Sequence, residues 1–269
     1  MTDIVASLEQ QDLETEFSFA EALVREAGGL TRDYIVNGYG IKWKKDNTPV
    51  TDIDRAINKL VINRIRERNP DDRVYGEEES ADGVGLHTWV LDPIDGTQSL
   101  GIVPTFTILL ARLDARGRTD FGLAYDPTAD KLYAVKKDGE TTCNGQVLRV
   151  SKKDTIKSSY VYFGSRMPDG VATNGQIYDR LEGQGAKVFN TRSLGYGCLM
   201  VAEGRVEGAF IGVSTPFEAA TVCQMVERAG GVVTDLHGKP LDRLDGEIAG
   251  AIVSNGKIHQ QLVEAVRAA

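Results

Sequence analysis

An α+β fold is what this sequence predicts, and three observations carry that reading. Apolar residues recur at helical spacing over roughly the first 70 positions. Short apolar segments then alternate with Gly, Asp and Pro from 73 to about 150. Strand-like and helix-like segments alternate after about 155. In the first stretch Phe17, Ala20, Leu23 and Val24 share a helical face, and Gly28-Gly29 predicts its end. Residues 52–69 predict a cleaner helix, with Ile53, Ala56, Ile57, Leu60, Val61 and Ile65 on one face and Pro70 closing it. Val74-Tyr75 and residues 89–91, 106–113, 121–125 and 131–135 predict a largely antiparallel sheet. Beyond it, 160–163, 187–189, 206–211, 231–234 and 252–253 read as strands. Segments near 174–183, 217–228 and 257–268 read as helices. The order divides the chain into an N-terminal α+β lobe, 1–155, and a C-terminal α/β lobe, 156–269.

Composition narrows the function classes. A formal charge of -8 argues against sequence-independent binding of nucleic acid polymers, which needs a basic surface to displace counterions. The three cysteines, Cys143, Cys198 and Cys223, show no CxxC spacing and read as free thiols of a reducing compartment. Cys198 and Cys223 sit among apolar neighbours, as core thiols do. His87, His237 and His259 form no ligand pattern, which leaves little room for a His-based metal centre or a Ser-His-Asp triad. No apolar run approaches the roughly 20 residues of a membrane span. No basic-then-apolar leader opens the sequence, so a cytoplasmic protein is expected. A GxxxxGK[ST] loop is missing, which removes the kinase and nucleoside-triphosphatase readings.

The chemistry concentrates in Asp92-Pro93-Ile94-Asp95-Gly96-Thr97. Two carboxylates, a backbone carbonyl and a hydroxyl within one turn form an all-oxygen set of the kind that holds Mg²⁺ and, through it, phosphate. Alone, the hexapeptide is also an ordinary turn. Three further acidic sites stand where an element begins or ends. Gly76-Glu77-Glu78-Glu79 alone reads as a solvated charge run. Thr51-Asp52-Ile53-Asp54 and Thr215-Pro216-Phe217-Glu218 both read as capping boxes at helix starts.

Taken together, these segments resemble the Mg²⁺-dependent, lithium-sensitive phosphatase superfamily typified by inositol monophosphatase. Its Gly-Glu-Glu motif, its Asp-Pro-Ile/Leu-Asp-Gly-Thr and its Trp-Asp helix start ahead of Ala-Gly-Gly have counterparts here in order. They are Gly76-Glu77-Glu78, the 92–97 hexapeptide, and Phe217-Glu218 ahead of Ala229-Gly230-Gly231. Val50-Thr51-Asp52-Ile53-Asp54 matches the family's Val-Thr-x-x-Asp. The resemblance implies a layered α-β-α-β-α sandwich with a large antiparallel sheet and a smaller mixed one. It implies two or three Mg²⁺ ions, with Mn²⁺ as an alternative: one at Glu77, Asp92, the Ile94 carbonyl and Thr97, one at Asp92, Asp95 and Glu218, and a weaker one at Glu77 and Asp54. Two metals about 4 Å apart clamp the attacking and leaving oxygens of an in-line displacement, and a bound water loses its proton near neutral pH. Asp54, Thr97 and Glu77 take the catalytic roles in that reading, Thr97 and Asp54 by orienting the water and accepting its proton. Asp95, Gly96, Thr97, Lys45 and Tyr196 would face the substrate. The Gly96 and Thr97 amides would hold a phosphate oxygen if they open a helix. A homodimer is the family's common assembly.

The sequence also departs from that pattern. Glu218 replaces an Asp, moving the carboxylate by about 1.5 Å, and Phe217 replaces a Trp. Ile211 stands where inositol-specific members carry a glutamate. Residues 192–198 form a shorter recognition segment without the acidic residue of histidinol-phosphate members, and Gln98 stands where Lys or Arg is frequent. The expected activity is hydrolysis of a small phosphorylated polyol or sugar, inositol-1-phosphate by default. Histidinol phosphate and 3′-phosphoadenosine 5′-phosphate are the alternatives within the superfamily. A catalytically weakened, metabolite-binding relative is the alternative of a different class, resting on Glu218.

Overall fold

The computed structural model describes residues 2–45, 47–241 and 243–267, with side chains from residue 11 onward. Helix α1 (Thr2–Asn37) runs through the glycine pair that was expected to stop it. A mid-helix glycine costs about 1 kcal/mol, and packing explains its use here. A Cβ on Gly28 would stand 2.2 Å from Tyr125 Cε1, so the missing side chain lets the helix lie against the sheet. The Tyr125 hydroxyl donates to Asp130 Oδ1 at 2.7 Å, which keeps the buried ring from swinging away. Gly28→Ala is therefore expected to cost about 2 kcal/mol, read as a lower midpoint in urea unfolding.

A short hairpin, β1 (Ile41–Trp43) and β2 (Pro49–Thr51), leads directly into α2 (Asp52–Arg68). Here the capping box forms as read: Thr51 accepts from the Asp54 amide, and Asp54 accepts from the Thr51 amide. Then come β3 (Arg73–Gly76), β4 (Thr88–Asp95), β5 (Thr107–Leu113), β6 (Thr119–Asp126), β7 (Lys131–Lys136), β8 (Thr142–Cys143) and β9 (Gln146–Val147). They form a seven-stranded sheet in sequence order, antiparallel except for the parallel β3–β4 pair. β5 and β6 are buried along their whole length, because helices cover both faces of the sheet.

The second half supplies β10 (Tyr160–Phe163), α3 (Asn174–Gly183), β11 (Lys187–Phe189), α4 (Leu194–Ala202), β12 (Gly208–Ser214), α5 (Pro216–Arg228), β13 (Val232–Asp235), β14 (Ile248–Ser254) and α6 (His259–Ala265). Its five strands make a mixed sheet in the order β11-β10-β12-β14-β13. The layers run α1/α2, large sheet, α4/α5, small sheet, α3/α6. The central core mixes Leu109, Ala124 and Val135 of the large sheet with Tyr162 and Ala209 of the small one around α4 and α5. Cys198 and Cys223 are buried in it as free thiols. Burial of each large aliphatic side chain there contributes about 1.5–3 kcal/mol. Among the described residues, no helix is long and apolar enough to cross a membrane.

Candidate active site

β4 brings the first two carboxylates to one place. Residues three apart on a regular strand point to opposite faces. The register against β5 shifts between Asp92 and Asp95, at the proline that cannot donate to the ladder, and both carboxylates then line one cavity. Asp92 accepts from the Ile94 amide at 3.0 Å. Asp95 is held more tightly. Its Oδ1 accepts from the Leu194 amide at 2.8 Å, and its Oδ2 accepts from the Gly195 amide at 2.9 Å, Thr107 Oγ1 at 3.1 Å and the Ser193 hydroxyl. The carboxylate thus caps the amino end of α4, where backbone N–H groups favour negative charge.

Glu218, in the first turn of α5, completes the set. Thr215 makes no side-chain cap bond and its buried Oγ1 has no partner, so the expected capping box at 215–218 is not formed. Glu218 accepts from Ser214 Oγ at 2.6 Å and from the Thr215 backbone amide, so only the glutamate half of the box is present. One oxygen each from Asp92, Asp95 and Glu218 lie within 4.8 Å of one another. Burial, and then the charges of Glu77, Asp95 and Glu218, hold the Asp92 carboxyl well above the usual carboxylate range. Burial and then Asp95 push Glu218 up to about 7. Burial also raises Asp95, which the hydrogen bonds from Ser193 and Thr107 hold back. Two buried carboxylates and a half-buried one that resist ionising together fit a hard divalent cation.

Three other acidic residues stand around this cluster. Glu77, just past β3, faces Lys44 Nζ at 2.9 Å, and Glu78 approaches the same ammonium at 2.6 Å. Burial works against the charge on Lys44, but the hydrogen bonds to Glu78 and Glu77 outweigh it and raise the pKa. Asp54 is fully buried behind the turn, where its Oδ1 lies 3.1 Å from the Thr97 hydroxyl. That hydroxyl also lies 2.9 Å from the Ile94 carbonyl, so one proton is shared between two acceptors. Gly96 takes a positive φ of 100°, and the residues after it form successive turns, not the helix on which the phosphate-binding amides were to depend.

A cavity of about 510 Å³ lies over the cluster. Glu77, Asp92, Ile94, Asp95, Gly96, Thr97 and Glu218 line it together with Lys44, Thr48, Pro49, Gln98, Gly164, Ser165, Arg166, Arg192 and Leu194. Lys45 and Tyr196, expected to face the substrate, are not among the residues that line this cavity. Lys44 donates its amide to Thr48 at 2.8 Å and its carbonyl accepts from Asn47 at 3.0 Å, a tight turn that leaves Lys45 exposed. Tyr196 lies on α4 and packs against the central core, away from the cavity lining. Ser193 and Thr107, which orient Asp95, escaped the sequence reading. Gly195 and Gly197 hid the helix that Ser193 begins, although a serine ahead of a short apolar run is itself a cap signal.

The sequence pattern of the inositol monophosphatase family matches residues 12–269. The chain belongs to that family. It is accordingly a phosphoric monoester hydrolase of the inositol monophosphatase superfamily. A histidinol-phosphatase of Chlorobaculum parvum is 32% identical over 255 residues, 93% of this chain and 96% of that protein. A fructose-1,6-bisphosphatase/inositol-1-monophosphatase of Thermotoga maritima is 28% identical, covering 81% of this chain and 82% of its own. Among solved structures, a Thermotoga maritima IMPase superposes with a TM-score of 0.82 at 27% identity, over 94% of this chain and 96% of that one. The layered sandwich found here is therefore the fold of inositol monophosphatase family members.

Proposed function

We propose that this chain is a Mg²⁺-dependent phosphomonoesterase acting on a small phosphorylated polyol or sugar. The observation that carries the reading is the Asp92–Asp95–Glu218 cluster at a cavity of about 510 Å³. Mg²⁺, when bound, neutralises phosphate oxygens and makes water acidic enough to attack phosphorus near neutral pH. Asp92, Asp95 and Glu218 hold the cation in this reading, with Glu77 and the Ile94 carbonyl as further oxygen donors at the cavity. The Thr97 hydroxyl and Asp54 Oδ1 form the relay that orients the attacking water and accepts its proton. The water oxygen bonds to phosphorus as the ester P–O bond breaks, giving inorganic phosphate and the alcohol. No side chain is phosphorylated.

Thr97→Val keeps the shape and removes the shared proton. Turnover is expected to fall about 10²-fold or more, with the melting temperature nearly unchanged. The reading as a whole is tested by phosphate release from inositol phosphates, sugar phosphates, histidinol phosphate and 3′-phosphoadenosine 5′-phosphate, with Mg²⁺ and with chelator. Turnover that chelator does not abolish would sink it. Folded, Mg²⁺-binding protein without turnover on any ester would favour a metabolite-binding role. Histidinol phosphate is a second reading, favoured by the name of the 32% identical relative, and the same panel decides it. A homodimer in the cytoplasm and inhibition by lithium belong to the same proposal, and sedimentation equilibrium checks the first of these.

A further inference from the structure

The loop that carries Glu77 closes on itself. Val74 and Ala81 exchange backbone hydrogen bonds, Val74 donating at 2.9 Å and Ala81 at 2.8 Å, and the Glu77 amide donates to the Leu91 carbonyl at 3.1 Å. Ser80 Oγ lies 3.3 Å from both the amide and the carbonyl of Gly76. These contacts stay within the loop and the strands beside it. The far leg of the loop is held from α2, where Asn58 Nδ2 donates to the Glu79 carbonyl at 2.9 Å.

Asn58 stands one helical turn after Asp54. Residues four apart share a helix face. Helix α2 therefore presents side by side the relay carboxylate, 3.1 Å from the Thr97 hydroxyl, and the anchor of the Glu77 loop. Asparagine is a costly anchor there. The residue is 1% exposed, and its Oδ1 is buried without a hydrogen-bond partner among the described residues. An unpaired buried acceptor destabilises a fold, and an apolar side chain of the same shape avoids that loss. Gly76 makes the room for Oδ1. A Cβ on Gly76 would stand 2.5 Å from that oxygen and 2.5 Å from the Glu79 carbonyl oxygen, and no positive φ calls for glycine at this position. What the asparagine adds is one bond, on the loop that brings Glu77 to the cavity and Glu78 to Lys44.

We propose that Asn58 is a positioning residue for Mg²⁺ binding: its hold on the Glu79 carbonyl keeps the Glu77 carboxylate in register with the Asp92–Asp95–Glu218 trio. The inference rests on the Mg²⁺-dependent phosphomonoesterase reading and deepens it. Asn58 does not line the cavity, so it acts through the loop. A side chain that only sets where an oxygen donor stands changes cation affinity and leaves ester binding to others.

The test measures Mg²⁺ affinity twice, by calorimetric titration of the substrate-free protein and by the Mg²⁺ concentration giving half-maximal phosphate release. It compares the parent with Asn58→Leu, Asn58→Ala, Gly76→Ala and Glu79→Gln. Asn58→Leu is expected to weaken Mg²⁺ about tenfold or more by both measures. Its kcat at saturating Mg²⁺ and its KM for the ester stay within about twofold of the parent. Its melting temperature in chelator changes little, because Glu79 is exposed to water and the unpaired Oδ1 is gone. Gly76→Ala crowds Asn58 and the Glu79 carbonyl from the loop side and weakens Mg²⁺ by a similar factor. Glu79→Gln leaves Mg²⁺ affinity within about twofold, because Asn58 holds the backbone carbonyl and not the side chain. If Asn58→Leu does not fold, Asn58→Ala and Gly76→Ala decide by the same readouts. Unchanged Mg²⁺ affinity, with or without a lower melting temperature, would overturn the inference, and so would a kcat loss that saturating Mg²⁺ does not restore. A parent that binds Mg²⁺ yet turns over no ester fails the phosphatase reading alone, and calorimetry still judges Asn58. A parent that binds no Mg²⁺ fails both.

Discussion

Replacing Asp92 by Asn lowers metal-dependent phosphate release by about 10³-fold or more, and the same change stabilises the chelator-treated protein. The first effect follows from position. Asp92 is 3% exposed and lies with Asp95 and Glu218, so its charge acts where solvent screening is weak. The second follows from repulsion, since its carboxyl is held well above the usual range by burial and by its acidic neighbours. An amide of the same shape keeps the Oδ1 that accepts from the Ile94 amide and removes the charge. The gain without metal is about 1 kcal/mol, or about 2–4 °C in melting temperature. With Mg²⁺ the order reverses, because the parent gains more from the cation than the variant. Thermal unfolding of both proteins in chelator and in Mg²⁺ reads this directly. A variant less stable than the parent in chelator would contradict the account of the cluster as mutually repelling.

Gly96→Ala is expected to damage both stability and turnover. Its Cβ would stand 2.7 Å from Ser193 Cβ and 2.9 Å from the Thr105 carbonyl, and φ there is +100°. Neither obstacle is the free end of a flexible side chain. Pushing Ser193 away also removes a donor from Asp95 and disturbs the start of α4. A loss of about 3 kcal/mol or more is expected, together with about 10²-fold in turnover from misplacement of Asp95. Gly145→Ala is the control. It has a φ of +80° but nothing within 4 Å of the added methyl, so it costs only the backbone strain, about 1 kcal/mol. Similar losses in the two variants would show that φ, not crowding against Ser193, governs the turn.

Local rules were legible in the sequence where one interaction dominates. The α2 face of Ile53, Ile57, Val61 and Ile65 is buried as its spacing predicts, and Thr51 and Asp54 cap that helix as a pair. Asp92 and Asp95 could be paired from their motif, although the strand period alone would have pointed them apart. The misses have physical causes in tertiary structure. Gly28 ends no helix because Tyr125 needs the space a side chain would fill. Lys44, not its neighbour, reaches Glu77 because a tight turn decides which of two adjacent lysines points inward. Helix α4 was hidden by its glycines, and with it the part played by Ser193. Nothing local in the sequence tells that a glutamate at a helix start also faces aspartates over 120 positions away.

That choice at the start of α5 leaves a mark on what the chain can become. Thr215 and Glu218 spell a helix-stabilising pair, yet the threonine hydroxyl is buried without a partner and the glutamate also faces two aspartates. A lineage released from selection for turnover would have a short path to a sturdier helix, with the cap satisfied and the acidic trio dissolved. Persistence of the unmet hydroxyl across descendants would then serve as a signature of retained catalysis, readable in their structures without an assay.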